Sequence, residues 1–240
     1  MEQDLATQGI RVLQVKTFGP SGQSAEYELT RQFYAAIASG GAASCAPVSA
    51  PLTLTASLSG SSSIFENLTT RDNVLNGVYW NGVHGYWGRY LTAYDNGDYG
   101  VYAFDSVYGR FDHSYAGGHP DSGFYIGQTP AQAKPKRTVV KNISSWGNVL
   151  GWSGTNMRYV TITKSKFYNN GTGVVPNTLT SEKYAPEEDN VITGNDIFWN
   201  NFNYYLGAPF KKGDTNIGEL AYPVGGGILL YGGRDTTIEG

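Results

Sequence analysis

A short motif that recurs at a fixed interval limits what this 240-residue chain can fold into more than any other feature. A glycine, an apolar residue and a tyrosine follow one another three times, and the steps from the first copy to the second and from the second to the third are equal. The copies are Gly77-Val78-Tyr79-Trp80, Gly100-Val101-Tyr102-Ala103 and Gly123-Phe124-Tyr125-Ile126. Such self-similarity is the signature of a solenoid, in which each repeat forms one coil.

The frame continues toward the C-terminus with less regular steps. It passes through Gly151-Trp152, Gly173-Val174 and Gly227-Ile228. An inserted loop over residues 129–137, which contain two prolines, explains the longer step from Gly123 to Gly151. The still longer step from Gly173 to Gly227 fits two coils with an insertion over residues 207–218, and residues 197–202 form a weaker coil inside it.

Coils of about 22 to 23 residues determine the fold class. They show strand-like alternation without helical periodicity, and they are too short to hold a crossover helix. Each coil must therefore consist of strands joined by tight turns. The sequence predicts an all-β protein with the fold of a right-handed parallel β-helix.

Asparagines occur a few residues before most of the repeated glycines. They are Asn73, Asn96, Asn148, Asn169, Asn170, Asn200 and Asn201. Asparagine tolerates left-handed backbone at turns, and its amide both donates and accepts hydrogen bonds. We expect these amides to form a ladder along the stack.

Residues in the repeated strand alternate between the two faces of the sheet. Val78 and Trp80 face inward with their equivalents, so Tyr79, Tyr102 and Tyr125 face outward. Coils roughly 4.8 Å apart would stack these tyrosines in a column. We predict that the column binds sugar rings, the alternative being that a loop or the N-terminal segment covers it.

The two ends of the chain depart from the frame. Residues 1–61 show no trace of it, and residues 39–63 are rich in serine, alanine, glycine and proline. We interpret residues 1–61 as an atypical N-terminal segment or cap with a low-complexity linker at 39–63, and residues 62–240 as the β-helix domain. Residues 236–240 resemble the start of another coil, so a continuation beyond Gly240 is expected.

Composition argues against several classes of function. The net charge is −3 and the 17 basic residues are scattered, which is not the basic surface of a nucleic-acid-binding protein. No apolar run approaches the roughly 20 residues that span a bilayer, and no signal peptide is visible. Cys45 is the only cysteine, so neither an internal disulfide nor a cysteine-based zinc site can form.

The segments 94–106, 111–116 and 120–128 are distinctive runs of glycine, tyrosine and aspartate, and further matching segments lie at 77–80, 151–156 and 173–177. Together they resemble a family of secreted bacterial right-handed β-helix repeat proteins of the pectate-lyase-like superfamily, especially its actinobacterial members. The resemblance implies the fold and a secreted or cell-surface location, but no settled activity. Members often have cysteines after the equivalent of Gly127-Gln128, where this chain has Thr129-Pro130, so a local disulfide or metal clip is absent.

The signatures of the superfamily's known activities are missing. There is no Asn-Thr-Asp, Asp-Asp and Gly-His-Gly set of a polygalacturonase, and no arginine-rich strand beside acidic calcium sites of a pectate lyase. Asp112-His113 resembles the Asp-Pro-His of uronan epimerases without its proline, and 2 methionines and 3 histidines are few for copper delivery. A fold alone does not assign an activity.

Stacking of residues one coil apart brings candidate catalytic groups together. Asp98 is expected beneath Asp121, and two carboxylates roughly 5 Å apart would raise one pKa and provide an acid beside a base, as in a retaining glycosidase. The alternative is that both are turn aspartates that cap backbone amides.

A second predicted column contains Glu66, Arg89 and Asp112. It is either a surface ion ladder or part of a lyase or epimerase site. In such a site Arg89 neutralises a sugar carboxylate, His113 removes a proton and Tyr115 acts as the acid.

The predicted site therefore contains catalytic and substrate-binding residues but no cofactor. The catalytic set is Asp98, Asp112, His113, Asp121 and Arg89, and the substrate-binding set is Tyr79, Tyr102, Tyr125 and Tyr115. A divalent metal such as calcium among His113, His119, Asp112 and Asp121 is an alternative without a supporting ligand spacing. The predicted function is extracellular polysaccharide binding, with lyase, epimerase or glycosidase processing left open; the alternative is a non-catalytic surface, adhesion or structural solenoid.

Overall fold

The fold is a stack of coils, each built mainly from three short strands. The computed structural model describes residues 16–18, 62–206 and 222–240. In chain order the strands are β1 (Lys16–Phe18), β2 (Ser62–Glu66), β3 (Thr69–Arg71), β4 (Val78–Asn81), β5 (His84–Arg89), β6 (Thr92–Tyr94), β7 (Val101–Phe104), β8 (Val107–Asp112), β9 (Tyr115–Gly117), β10 (Ser122–Ile126), β11 (Thr138–Lys141), β12 (Ser144–Trp146), β13 (Leu150–Thr155), β14 (Val160–Thr163), β15 (Lys166–Tyr168), β16 (Thr172–Asn177), β17 (Val191–Thr193), β18 (Asp196–Phe198), β19 (Gly226–Ile228) and β20 (Thr237–Glu239). A 3-10 turn covers Tyr204–Leu206.

These strands form three sheets that run along the stack. Sheet A contains β2, β5, β8, β11, β14, β17 and β20, with β1 added antiparallel to β2. Sheet B contains β3, β6, β9, β12, β15 and β18, and sheet C contains β4, β7, β10, β13, β16 and β19. The neighbours from β2 onward are parallel, so the chain passes through sheets A, B and C in every coil. The predicted all-β parallel β-helix is confirmed.

The pairing register confirms the frame that the sequence shows. In sheet C the column runs through Val78, Val101, Phe124, Trp152, Val174 and Ile228. Residues 129–137 lie between β10 and β11, where the insertion was expected. One expectation is wrong: β16 pairs directly with β19, so the step from Gly173 to Gly227 is a single enlarged coil rather than two.

The corners between sheets are columns of residues with left-handed backbone. At the corner between sheets A and B they are Asn67, Tyr90, His113, Asn142, Lys164 and Gly194, and between sheets B and C they are Asp72, Asp95, Gly118, Gly147, Asn169 and Trp199. Asparagine, aspartate and glycine reach this conformation at the lowest cost, which explains their spacing in the sequence. Each of the two corner columns therefore determines which side chains of successive coils lie next to one another at that edge of sheet B.

The core lies between the three sheets and is rich in aromatic rings in the first coils. The ring of Trp80 lies 5.0 Å from Phe65 and 5.6 Å from both Tyr86 and Phe111. Gly109 is opposite Tyr86 in the register, and a Cβ there would collide with the Tyr86 ring. A glycine in the inward column thus lets a large ring from the neighbouring coil enter the core.

The expected asparagine ladder is present, with one member that the sequence did not assign to it. Each amide nitrogen donates to the next amide oxygen over 2.7 to 3.0 Å, from Asn73 to Asn96 and from Asn148 through Asn170 to Asn200. His119 joins the two halves: its Nε2 lies 3.1 Å from the amide nitrogen of Asn96, and its Nδ1 lies 2.8 Å from Oδ1 of Asn148. The ladder therefore runs from Asn73 to Asn200 without a gap.

The N-terminal predictions lie largely outside the described residues. Of the segment 1–61 only β1 is described, and of the proposed linker 39–63 only Ser62 and Ser63, which belong to β2. The loop predicted at 207–218 also lies outside them. No helix in the described part of the chain has the length and apolar character needed to cross a membrane.

Candidate functional site

The three tyrosines of sheet C form the column that the repeat predicts. The rings of Tyr79 and Tyr102 lie 4.9 Å apart at 24°, and those of Tyr102 and Tyr125 lie 4.5 Å apart at 14°. Tyr79 and Tyr102 are half-buried, whereas Tyr125 is buried. The tyrosine column is thus real, but only its first two rings retain a partly open face.

Other side chains cover the rest of the tyrosine column. The ring of Tyr99 lies 4.8 Å from Tyr102 and 5.0 Å from Tyr125, edge-on to the latter. Burial raises the pKa of Tyr99 and Tyr102 far above the ordinary value, so both stay neutral. Beyond Tyr125 the outer face of sheet C is packed against Tyr204, with Phe202 and Tyr222 at its border. The alternative of a covering loop therefore holds for this part of the sheet.

Asp98 and Asp121 are neighbours in the stack, as predicted. The backbone N–H of Asp121 donates to the carbonyl of Asp98 over 3.4 Å. Burial, followed by the negative charge of Asp98, raises the pKa of Asp121 to about 8. The raised pKa favours the neutral acid form of Asp121 at pH 7, but with 6% of the residue exposed its side chain has little room to reach a polymer. Its catalytic role stays a prediction.

The charged column at the edge of sheet A is also confirmed, and it continues one coil further than predicted. Glu66, Arg89, Asp112 and Lys141 are in register. Arg89 contacts Glu66 at 2.5 Å, whereas Asp112 is contacted by Arg110 at 2.5 Å and by Lys141 at 3.9 Å. The guanidinium of Arg89 is therefore directed to Glu66, and the nearest charge partner of Asp112 is Arg110 on its own strand.

His113 and Asp112 are in close contact at the corner between sheets A and B. The Nδ1 of His113 lies 2.7 Å from Oδ1 of Asp112, and the ring of His113 stacks on Tyr90 at 5.3 Å. Both rings stand on left-handed corner residues of successive coils, which places them one above the other. Burial would raise the pKa of Asp112, but hydrogen bonds from Arg110 and Asn142 and the nearby positive charges outweigh it and lower that pKa.

The predicted site residues fall into separate groups. Arg89, Asp112 and His113 lie at the corner between sheets A and B, whereas Asp98 and Asp121 lie in the turns between sheets B and C. Tyr115 is on the outer face of sheet B, where its ring lies 6.3 Å from Trp146. The two corners are opposite edges of sheet B. The five catalytic candidates therefore do not share one site.

The metal alternative is not assembled either. His119 is fully buried in the asparagine ladder, and burial lowers its pKa to about 4. His113 is exposed at the opposite edge of sheet B. Among the described residues no three side chains of His, Cys, Asp or Glu are close enough to hold a metal ion together.

The sequence reasoning missed an aromatic surface on the outer face of sheet B. We call it the aromatic strip; its members are Tyr94, Tyr115, Trp146, Tyr168 and Phe198. Tyr94, Trp146, Tyr168 and Phe198 share one register column. In that column Gly117 occupies the position between Tyr94 and Trp146. Tyr168 stacks on Phe198 at 5.3 Å and 6°, and Trp199, 72% exposed, packs edge-on against Phe198.

A groove of about 660 Å³ lies at Gly117, between the rings of Tyr94 and Trp146. Its walls include Tyr94, Tyr115 and Trp146, and its border includes Asp95 and Asn169. A Cβ on Gly117 would lie 3.0 Å from the carbonyl oxygen of Trp146 and 3.1 Å from the Tyr115 hydroxyl, so a larger residue would crowd both and narrow the groove. Recurring aromatic residues between Tyr94 and Phe198 could have revealed the column, but the glycine and the insertions make their intervals unequal and hide it.

No protein-family model, curated protein or solved structure matches the chain. The fold and the surfaces described above therefore carry the functional argument, and the resemblance to the pectate-lyase-like superfamily stays a prediction.

Proposed function

We propose that this parallel β-helix binds polysaccharide chains along the aromatic strip of sheet B. The observation that carries the proposal is the open groove between Tyr94 and Trp146, which has aromatic walls and a glycine floor. Aromatic rings stack on the apolar faces of sugars, and binding sites combine such surfaces with a few polar groups. This strip offers both.

The spacing of the strip suits an extended polymer. Successive coils are ~4.8 Å apart, close to the length of one sugar unit in an extended chain. Trp146, Tyr168 and Phe198 occupy three consecutive coils, and Tyr94 stands two coils before Trp146. A polymer running along the stack would contact one ring after another, and the gap at Gly117 would admit one sugar between two rings.

Polar side chains beside the groove supply hydrogen bonds for hydroxyl groups. Asp95, Asn169 and Asn201 border it, and all three are exposed. They stand in or next to the corner column between sheets B and C, so the stack fixes their backbone positions. Carboxylate and amide groups at such fixed points would orient a sugar that the rings hold.

The proposal is for binding, with an extracellular location suggested by the family resemblance. Processing of the polymer has less support, because Asp121 is buried and Asp112 already accepts hydrogen bonds from Arg110 and Asn142 and contacts His113. A scaffold without a glycan ligand is the competing function. Exposed aromatic residues on one face favour binding, since a scaffold does not require them.

The test is a binding screen of the 240-residue protein against neutral and acidic polysaccharides, by affinity electrophoresis and then calorimetry. Trp146→Ala should weaken binding at least tenfold, about 1.4 kcal/mol. Tyr231→Ala is the matched control, because Trp146 and Tyr231 are both 42% exposed and Tyr231 lies outside the strip. No binding to any polymer, or equal binding by the Trp146 variant, would reject the proposal in favour of the scaffold; release of reducing ends in the same samples tests processing.

A further inference from the structure

A second groove, on the outer face of sheet A, has a different chemical character. It has a volume of about 570 Å³ and is lined by Trp87, Tyr108, Arg110, Arg137, Val139 and Lys141 among others. Arg110 and Val139 belong to one outward column with Trp87, and Lys141 belongs to the neighbouring charged column. We call it the cationic groove. It lies on a different sheet from the aromatic strip.

The positive charges of the cationic groove exceed the negative charges that the chain places beside them. Arg110 and Lys141 share one carboxylate, that of Asp112, at 2.5 and 3.9 Å. Arg137 donates to the backbone carbonyl of Asp189 over 3.0 Å and to that of Val160 over 3.4 Å. Within the described residues no carboxylate lies within 4.0 Å of its guanidinium. Three cations thus face one groove with a single counter-charge.

Trp87 holds the arginines of this face in place. The guanidinium of Arg89 lies 4.4 Å from the indole and that of Arg110 lies 5.0 Å from it. Arg89 is neutralised by Glu66, so it acts mainly as a support. Nε of Arg110 and Nε1 of Trp87 are buried and lack an acceptor among the described residues, so a ligand would meet the outer nitrogens of the guanidinium instead. The groove therefore has a positive charge whose position is fixed by Trp87 and Asp112.

We propose that the cationic groove binds the anionic groups of an acidic polysaccharide, carboxylate or sulfate. Guanidinium and ammonium groups pair with both, and a planar guanidinium offers two parallel donors to one anion. The exposed side chain of Tyr108 beside these cations would contact the apolar face of the same sugar. This site stands on its own contacts and does not require the aromatic strip to bind.

The experiment is calorimetric titration of the full chain with three size-matched oligosaccharides: a uronate oligomer, a sulfated oligomer and a neutral one. We expect binding of at least one acidic oligomer, weakening with salt, and no comparable binding of the neutral oligomer in this groove. Arg137→Gln and Lys141→Gln should each weaken acidic binding about tenfold, and circular dichroism with thermal melting verifies their folding. Preference for the uronate or for the sulfated oligomer identifies the source of the anion.

Two controls separate this inference from the proposed function. Lys183→Gln makes the same charge change at an exposed position between β16 and β17, outside both grooves, and it should leave acidic binding unchanged. Trp146→Ala tests the aromatic strip alone. Acidic binding that survives both groove variants, or that Lys183→Gln reduces equally, overturns the cationic groove. Tighter binding of a short oligonucleotide than of either acidic glycan overturns the glycan assignment.

Discussion

Nδ1 of His119 lies 2.8 Å from Oδ1 of Asn148, which makes a histidine one rung of a buried ladder of asparagines. The backbone N–H of His119 donates to the same oxygen over 2.9 Å, as the N–H of Asn148 does to Asn170. Nε2 faces the amide nitrogen of Asn96 at 3.1 Å and must accept from it. The imidazole is therefore neutral, with its proton on Nδ1, and it reproduces both functions of an amide.

The first prediction is that asparagine can replace His119 and alanine cannot. His119→Asn keeps one donor and one acceptor, so its free energy of unfolding at pH 7.5 should stay within about 1 kcal/mol of the wild type. His119→Ala leaves Asn96 and Asn148 without their partners and creates a cavity, so it should lose about 3 kcal/mol. Urea denaturation measures both; equal stability of the two variants would show that the ladder does not need this rung.

The second prediction concerns acid. The pKa of buried His119 is about 4, against 6.5 in the unfolded chain, because burial disfavours the charged form. Between these values the unfolded state binds a proton that the native state does not, so stability is full above pH 6.5 and falls as the pH drops toward 4. From pH 6.5 to 5 the loss from this residue should be about 2 kcal/mol. His119→Asn should remove that part of the decline, measured as the difference between the two proteins at each pH.

The third prediction concerns Asp121 and has the opposite sign. Its native pKa of about 8 lies above the ordinary value of 3.8, so between them the native state binds the extra proton. Stability should therefore fall as the pH rises from about 4 to about 8, and Asp121→Asn should abolish this fall. Carbon-13 carboxyl shifts give the pKa directly. In Asp98→Asn that pKa should decrease, because the second cause of the shift is the charge of Asp98; an ordinary pKa in the wild type would contradict the burial of this carboxyl.

The fourth prediction concerns the glycine column of the repeat. A Cβ on Gly100 would collide with the carbonyl of Gly123 and approach Cε1 of His119 to 2.9 Å. Gly100→Ala should destabilise the protein by at least about 2 kcal/mol, because backbone of the next coil cannot move aside cheaply. Gly227→Ala is the matched control in the same column, since its Cβ would meet only Ile197 at 3.8 Å. Equal melting temperatures for the two variants would contradict the close stacking at Gly100.

The residues that stack on one another in successive coils could be predicted well, because they are separated by one repeat length in the sequence. The equal intervals of the repeat placed Tyr79, Tyr102 and Tyr125 in one column and Asp98 beside Asp121, and both relationships are confirmed. The same reasoning failed to include His119 in the asparagine ladder, because a single imidazole among amides carries no compositional signal. It also missed the aromatic strip, whose column is interrupted by Gly117 and by insertions of different length.

The sequence by itself determined the coil, its register and the inward and outward sides of each strand, because these follow from a period that every coil repeats. Tertiary structure decided which outward side chains stay accessible. Tyr222 and Asp121 are far apart in the chain, yet they are near enough to interact electrostatically, and segments of the enlarged coil pack over Val175 of sheet C. Such coverage depends on how irregular insertions fold back onto the stack. No repeat encodes it, so Asp121 became buried while Trp146 stayed open to solvent.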